Sequence, residues 1–166
     1  MKKILLLSIL LWTGWVSAQA IDLDKENRDP KYVESIVSRS QKIVDKLGIN
    51  DAKVAEDVRN VIANRYFTLN DIYETRDAKV KEIKESDLVG EAKNNALKAA
   101  EDAKDAALYR IHFAFPADLS LFLTEEQIEA VKDGMTYGVL KITYDSHLDM
   151  IPSCLLYTSP SPRDTR

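Results

Sequence analysis

The chain has 166 residues, of which 45% are hydrophobic, enough for one domain with a modest core. Its 23 basic and 27 acidic side chains leave a net charge of −4, and no basic stripe runs along it. This balance argues against binding to nucleic acid or to an anionic membrane, because both depend on clusters of Lys and Arg. The five glycines are isolated, so the sequence contains no glycine-rich phosphate loop and nucleotide chemistry is not supported.

Residues 1–20 have the organisation of a secretory signal peptide. Two lysines precede an apolar run over residues 4–16, and small side chains follow, among them Ala18 and Ala20. The apolar run is too short to span a bilayer comfortably, and no second apolar run follows it. We therefore predict cleavage after Ala18 or after Ala20, and an exported protein that leaves the membrane once it is cleaved. The alternative is an uncleaved N-terminal anchor.

The far end of the chain, residues 154–166, has neither helical nor strand periodicity. Its codons can be those of a transposase-type sequencing-library adapter, so we interpret it as adapter read-through and not as native sequence. The alternative is a genuine disordered tail rich in Ser and Pro. Since Cys154 is the only cysteine, the single domain over residues 21–153 is expected to be C-terminally truncated and free of disulfides and thiol catalysis.

Within that domain, residues 21–28 are polar and lack periodicity, which predicts a flexible leader. Asp29 and Pro30 then mark the start of a helix. An aspartate accepts hydrogen bonds from the free amides of a first turn, and proline suits the first helical position. Apolar residues recur at three- and four-residue steps over residues 33–47, and Gly48 is predicted to close this helix.

Two long charged helical runs over residues 51–123 form the centre of the chain. Asn50 is the predicted N-cap of the first, which continues without Gly or Pro to about Lys84, a rod of roughly 50 Å. A polar break at residues 86–90 and an alanine-rich return predict an antiparallel hairpin that projects from the body. Because buried alanine contributes little hydrophobic free energy, the hairpin tip should be its least stable part.

The return run reaches an apolar base that is interrupted by Pro116. An interior proline costs about 3 kcal/mol or more, so a kink or a helix break is predicted at Phe115. Thr124 and Gln127, three residues apart, form a capping-box pattern. This pattern predicts a short helix that ends at Gly134.

The last native segment, residues 135–153, is the least regular. Its apolar residues between 139 and 142 are compatible with a short strand or a buried loop, followed by a helix from about Thr143. The elements together predict an all-α fold. It comprises a long antiparallel helical hairpin, an N-terminal helix, a short capped C-terminal helix and a loop-rich segment packed at the hairpin base.

No set of residues in the sequence assembles a reaction centre. His112 and His147 lack the four-residue spacing that brings two imidazoles to one metal ion. Ser146 lacks the glycines of a nucleophile elbow. We therefore predict a protein without enzymatic activity, metal or cofactor.

Sugar binding requires an aromatic face for stacking and polar groups for the hydroxyls. The cluster that meets this requirement is Tyr137, Tyr144, Asp145 and Asp149, which are the candidate ligand-binding residues. The alternative is that the two tyrosines belong to the core or its rim and the two aspartates to a turn or cap. Both tryptophans lie in the predicted signal peptide, which weakens the carbohydrate hypothesis.

Three stretches of the chain resemble one known family: residues 31–49 (KYVESIVSRSQKIVDKLGI), 69–84 (LNDIYETRDAKVKEIK) and 123–152 (LTEEQIEAVKDGMTYGVLKITYDSHLDMIP). It is a secreted family of unknown function from Gram-negative gut-type bacteria, classed as candidate sugar-binding proteins. The resemblance implies a carbohydrate partner and a location in the periplasm or on the cell surface, and it brings no catalytic residues. Two departures are Lys141, where the pattern has proline, and a more apolar stretch over residues 113–123.

Residues 123–127 also resemble the Leu-Thr-x-x-Gln motif of small periplasmic helical chaperones and envelope-stress sensors. A capping box explains the same residues without a function. This second resemblance implies unfolded protein clients as partners, bound along the hairpin. A concave pocket lined by Tyr137 and Tyr144 would favour sugar, whereas an apolar cradle along residues 54–83 would favour clients.

Overall fold

The structure, a computed structural model, describes residues 20–150. In chain order its helices are α1 (Pro30–Val44), α2 (Ala52–Glu85), α3 (Gly90–His112), α4 (Ala114–Leu119), α5 (Glu125–Met135) and α6 (Val139–Met150). The described part of the chain contains no strand, so the predicted all-α class is confirmed. Most of the predicted signal peptide and the predicted adapter tail lie outside the described residues.

The N-terminal helix α1 begins where the sequence predicts. The Asp29 carboxylate accepts hydrogen bonds from two first-turn amides at 2.7 and 3.1 Å, and Pro30 is the first helical residue. The helix ends at Val44, earlier than predicted, and a turn continues to Gly48. Gly48 has a φ of +66°, a left-handed conformation that glycine adopts without steric cost, so it closes this turn and not the helix itself.

The predicted hairpin is present, with α2 and α3 packed against each other around the break at residues 86–89. The N-cap of α2 is Asp51 and not Asn50, which corrects the prediction by one residue. Its carboxylate accepts hydrogen bonds from two first-turn amides at 2.8 and 3.2 Å, and its negative charge suits the positive end of the helix dipole. In the distal half of the hairpin only Ile83 and Ala100 are buried, so this half has little core of its own.

The break before Pro116 comes earlier than predicted, because α3 already ends at His112. In a continuous helix the ring of Pro116 would clash with the carbonyl of His112, and its missing N–H would leave that carbonyl without a partner. Because α4 begins at Ala114, Pro116 lies instead in a first turn, where no intrahelical N–H bond is required.

The buried side chains form two neighbouring clusters at the base of the hairpin. The larger cluster joins α1, α2, α4 and α5 and consists of Ile43, Val44, Leu47, Val58, Val61, Ile62, Phe115, Leu119, Leu123, Ile128 and Val131. The smaller cluster, between α1 and α2, consists of Ile36, Ala63 and Phe67. The hairpin therefore has a packed base and a thin distal half.

The capping box at the start of α5 is confirmed. The Thr124 hydroxyl accepts a hydrogen bond from the Gln127 amide at 3.4 Å, and the Gln127 side chain accepts one from the Thr124 amide at 3.1 Å. The side-chain amide of Gln127 also donates to the Leu47 carbonyl at 2.9 Å, which ties α5 to the end of the first helical segment. The helix continues to Met135, one residue past the predicted end.

Residues 139–150 form the single helix α6, so the strand or loop predicted for residues 139–142 is wrong, whereas the helix predicted from about Thr143 is confirmed with an earlier start. The described chain contains no strand with which residues 139–142 could pair. Without such a partner, the strand preference of Val139 and Ile142 is too weak to prevent helix formation. Val139, Ile142 and Tyr144 are each more than half exposed, so this helix does not pack at the hairpin base as predicted.

Residues 21–28, predicted to be a flexible leader, instead lie along α2 and form what we call the N-terminal strap. Asp57 accepts a hydrogen bond from the backbone amide of Ile21 at 3.0 Å, and Asn60 donates one to the Ile21 carbonyl at 2.8 Å. One turn further, the side chain of Asn64 bonds two strap backbone groups, both at 2.8 Å. Polar side chains of α2 thus replace the partners that an extended backbone would otherwise find in water.

The strap ends at Arg28. Its guanidinium forms two hydrogen bonds with the Asp71 carboxylate, at 2.7 and 2.8 Å, and lies 4.6 Å from the centre of the Phe67 ring. Hydrogen bonding to Arg28 lowers the pKa of Asp71 below its ordinary value. The strap's partners on α2 recur at three- and four-residue steps, so they share one helix face.

We expect Asp71→Asn to lower the free energy of unfolding at pH 7 by about 0.5–1 kcal/mol, because the carboxylate is half exposed and the pair is screened by water. The native pKa of Asp71 is below the unfolded one, so its contribution is present above the unfolded pKa and disappears as the pH falls through the native pKa. Urea denaturation should therefore separate variant and wild type at pH 7 and bring them together in strong acid. Asp87→Asn, at an exposed loop position, is the control and should change the free energy of unfolding neither at pH 7 nor in acid. If Asp71→Asn remained equally destabilised in acid, the stabilising ion pair between Asp71 and Arg28 would be contradicted.

Candidate functional site

The four residues predicted from the sequence to bind a ligand lie on the surface of the C-terminal end. Tyr137 precedes α6 with a left-handed φ of +57°, is 66% exposed, and has its ring centre 5.6 Å from the Arg39 guanidinium. Tyr144 is 54% exposed. Asp145 accepts a hydrogen bond from Lys141 at 2.7 Å, and Asp149 is exposed in the last turn.

The structure brings only part of this set together. Asp145 and Asp149 are four residues apart and share one face of α6. Tyr137 and Tyr144 form no ring-to-ring contact with each other in the described coordinates. The three clefts described in the protein are lined by other residues.

A cleft of about 550 Å³ lies between the two long helices, on one side of the hairpin. We call it the hairpin groove, and its lining comprises Thr68, Asp71, Ile72, Thr75, Arg76, Ala78, Lys79 and Glu82 of α2 and Ala100, Ala103, Lys104 and Ala107 of α3. The α2 residues that line it run from Thr68 to Glu82, a stretch of 15 residues whose ends lie about 21 Å apart along the helix. The groove therefore has a length that a short peptide segment could occupy.

Three alanines of α3, which we call the alanine stripe, line one side of the groove: Ala100, Ala103 and Ala107. In the sequence this stripe predicts close approach of the two helices, and the structure adds a second consequence. The short side chains of Ala100, Ala103 and Ala107 line an open space that a larger residue would partly fill. The alanine spacing is therefore the sequence feature that could have indicated the groove. The same spacing is equally compatible with two helices that pack closely and leave no groove between them.

The concave surface continues toward the hairpin tip. A second cleft of about 420 Å³ shares Lys79, Glu82 and two alanines with the groove and extends to Leu88. At the tip, Leu88 is 40% and Val89 78% exposed. Apolar surface is therefore available along the whole distal half of the hairpin.

The charged side chains at the groove's rim are paired with one another. Glu101 accepts hydrogen bonds from Lys104 at 2.7 Å and from Arg76, and Lys79 donates to Glu82 at 2.8 Å. Hydrogen bonding, first to Lys104 and then to Arg76, lowers the pKa of Glu101. Because cations and anions of the rim satisfy each other, the apolar floor is the main feature that a ligand would meet.

The chemistry of the remaining candidates is limited. His112 packs edge to face on Phe113, with ring centres 4.9 Å apart, and His147 is exposed in α6. Within residues 20–150, no three side chains of the His, Cys, Asp and Glu types lie in a group suited to a metal ion. Over the same residues, no helix is both long enough and apolar enough to cross a bilayer.

Comparison with known proteins identifies the family. No curated protein matches the chain. The family described as "Protein of unknown function (DUF3826)" matches residues 33–156, which is more than half of the chain. The matched region contains the hairpin groove and all four predicted ligand-binding residues, whereas the strap precedes it. This chain therefore belongs to the family of proteins of unknown function DUF3826.

Proposed function

We propose that this protein is an exported, non-enzymatic binding protein whose hairpin groove holds an apolar segment of a partly unfolded protein client. The observation that carries the proposal is the combination of an apolar floor with a rim whose charges are already paired. Such a groove gains free energy from apolar surface at roughly 25 cal/mol per Å² buried. It offers little to a ligand recognised by its charge.

The dimensions of the groove support a peptide as the ligand. About 21 Å accommodates an apolar helix of about 14 residues, or roughly six residues of extended chain. Leu88 and Val89 extend the apolar surface at the tip, where the hairpin has little core to hold one shape. A loosely packed tip suits clients that differ in sequence, because it can adjust at low cost.

Export is the second part of the proposal and is supported by the sequence of residues 1–20. A basic start, a short apolar run and small residues before the strap are typical of a secretory signal peptide. The client hypothesis then concerns proteins of the periplasm or the cell surface.

The groove is tested by filling it. We expect Ala103→Trp to weaken binding of a permanently unfolded reporter protein, such as a reduced and carboxymethylated globular protein, by about tenfold or more, equivalent to about 1.4 kcal/mol. The matched control is Ala106→Trp, which adds the same side chain on the same helix outside the described clefts. Fluorescence anisotropy measures the affinity, and circular dichroism checks that both variants fold. Equal affinities for the two variants, or no binding by the unmodified protein, would contradict the proposal.

Carbohydrate binding at Tyr137, Tyr144, Asp145 and Asp149 is the second candidate function. Its support is the exposure of both phenol rings, which present aromatic surface for stacking on a sugar, and the shared helix face of the two carboxylates. The same protein samples distinguish it. A glycan that raises the melting temperature, with the rise lost in Tyr144→Ala and retained in Ala103→Trp, would favour sugar over clients; at a hundred times its Kd such a ligand adds about 2.7 kcal/mol.

A further inference from the structure

Ile21 is the first residue of the described chain that is anchored to the body. Its backbone amide donates to Asp57 Oδ1 at 3.0 Å, and its carbonyl accepts from the Asn60 side chain at 2.8 Å. Its side chain packs against the larger core cluster. Ala20, directly before it, is exposed. The anchored part of the protein therefore begins at the Ala20–Ile21 peptide bond.

The Asp57 carboxylate is unusual because it is buried and its hydrogen-bond partner is a neutral amide. The residue is only 4% exposed, and no Lys, Arg or His of residues 20–150 lies within 4.0 Å of its carboxylate. The arginines on the neighbouring turns have other partners: Arg59 bonds Glu56 at 3.0 Å, and Arg65 donates to a backbone carbonyl at 3.0 Å. A buried carboxylate without an opposite charge is costly, because neutral hydrogen bonds offset only part of its lost hydration.

The sequence before Ile21 provides a source for the missing charge. Ala18, Gln19 and Ala20 form the small-x-small pattern that a signal peptidase cleaves after its last residue. Hydrolysis of the Ala20–Ile21 bond adds one water molecule, so that Ala20 ends in a carboxylate and Ile21 begins with an α-ammonium group. With an ordinary pKa of about 7.7–8.0, that group is mostly charged at neutral pH. Its nitrogen is the atom that lies 3.0 Å from the Asp57 carboxylate.

We propose that signal peptidase cleaves the Ala20–Ile21 bond and that the released α-ammonium group of Ile21 forms a buried ion pair with Asp57, which holds the strap on α2. The inference rests on the proposed export, and it selects Ala20 over Ala18 as the cleavage position. After cleavage at Ala18 the charge would lie two residues away, about 7 Å along an extended chain. Asp57 would then keep only the neutral amide, as it does in the precursor.

The cleavage position is read directly from the exported protein. The full chain, expressed in a Gram-negative host with a C-terminal tag, is purified from the periplasm and examined by intact mass and N-terminal sequencing. We expect Ile21 as the first residue. Gln19 as the first residue, or a periplasmic protein that retains residues 1–20, would overturn this inference and leave export standing, whereas a protein found only in the cytoplasm would contradict export itself.

The ion pair is tested by moving the charge. Proteins beginning at Ile21, Ala20 or Gln19, each released from a fusion by a protease that leaves no extra residue, are compared in thermal melts at pH 7. The Ile21 form is expected to melt about 3–5 °C above the other two, and Asp57→Asn should remove this difference. A chemically acetylated Ile21 form, in which every side chain is kept and only the terminal charge is lost, should melt with the Ala20 form. Equal melting temperatures for all the unmodified forms would overturn the ion pair.

Discussion

Replacing Phe67 with alanine is expected to lower the free energy of unfolding by about 3–5 kcal/mol, the range for deletion of a fully buried phenylalanine. Phe67 has no exposed surface and lies in the smaller core cluster, with its ring centre 5.7 Å from that of Tyr32. It also supports the strap, because the guanidinium of Arg28 packs on its ring at 4.6 Å. The truncation therefore opens a cavity and removes the surface on which the strap's last residue rests.

Urea denaturation followed by circular dichroism measures this loss. The control is Phe113→Ala, which deletes the same atoms from a ring that is 67% exposed and should cost less than about 0.5 kcal/mol. Similar losses for the two variants would show that the contact between α1, α2 and the strap contributes no more than surface packing does.

Replacing Leu119 with alanine is the second large effect, with an expected loss of about 2–5 kcal/mol. Leu119 is fully buried in the larger cluster and ends the six-residue helix α4. A helix this short is not stable by itself, so its formation depends on the burial of Phe115 and Leu119 in the larger cluster, where α4 contacts α2. Loss of the Leu119 side chain should therefore weaken α4 and the connection from the hairpin to α5 together.

The matched control lies two residues further along the chain. Leu121→Ala removes a leucine that is 75% exposed, and chemical denaturation should show little change. A loss at Leu121 equal to that at Leu119 would contradict the burial on which the larger cluster is built. The pair also tests the break at Pro116, because a continuous helix through this region would place different residues in the core.

Carbohydrate binding and client binding would use different surfaces of the protein. The sequence alone does not decide which of the two functions is better supported. The four candidate residues are recognisable as residue types, but stacking requires rings that face one ligand, and residue type says nothing about shape. Tyr137 and Tyr144 are exposed, and neither lines one of the three described clefts. The groove, by contrast, exists only because two helices from different parts of the chain lie side by side, so its volume has no counterpart in any single segment.

Features controlled by neighbouring residues were predicted well because their chemistry is local. The Asp29 cap, the extent of α2 and the Thr124–Gln127 capping box depend on side chains within one helical turn of their partners. Features that depend on residues distant in the sequence were not predicted. The strap has no periodicity of its own, and its order comes from hydrogen bonds to α2 some 36 to 43 residues later in the chain. The helix α6 and the hairpin groove likewise depend on which neighbours are present in space, because burial and pairing are properties of the assembled fold and not of the segment.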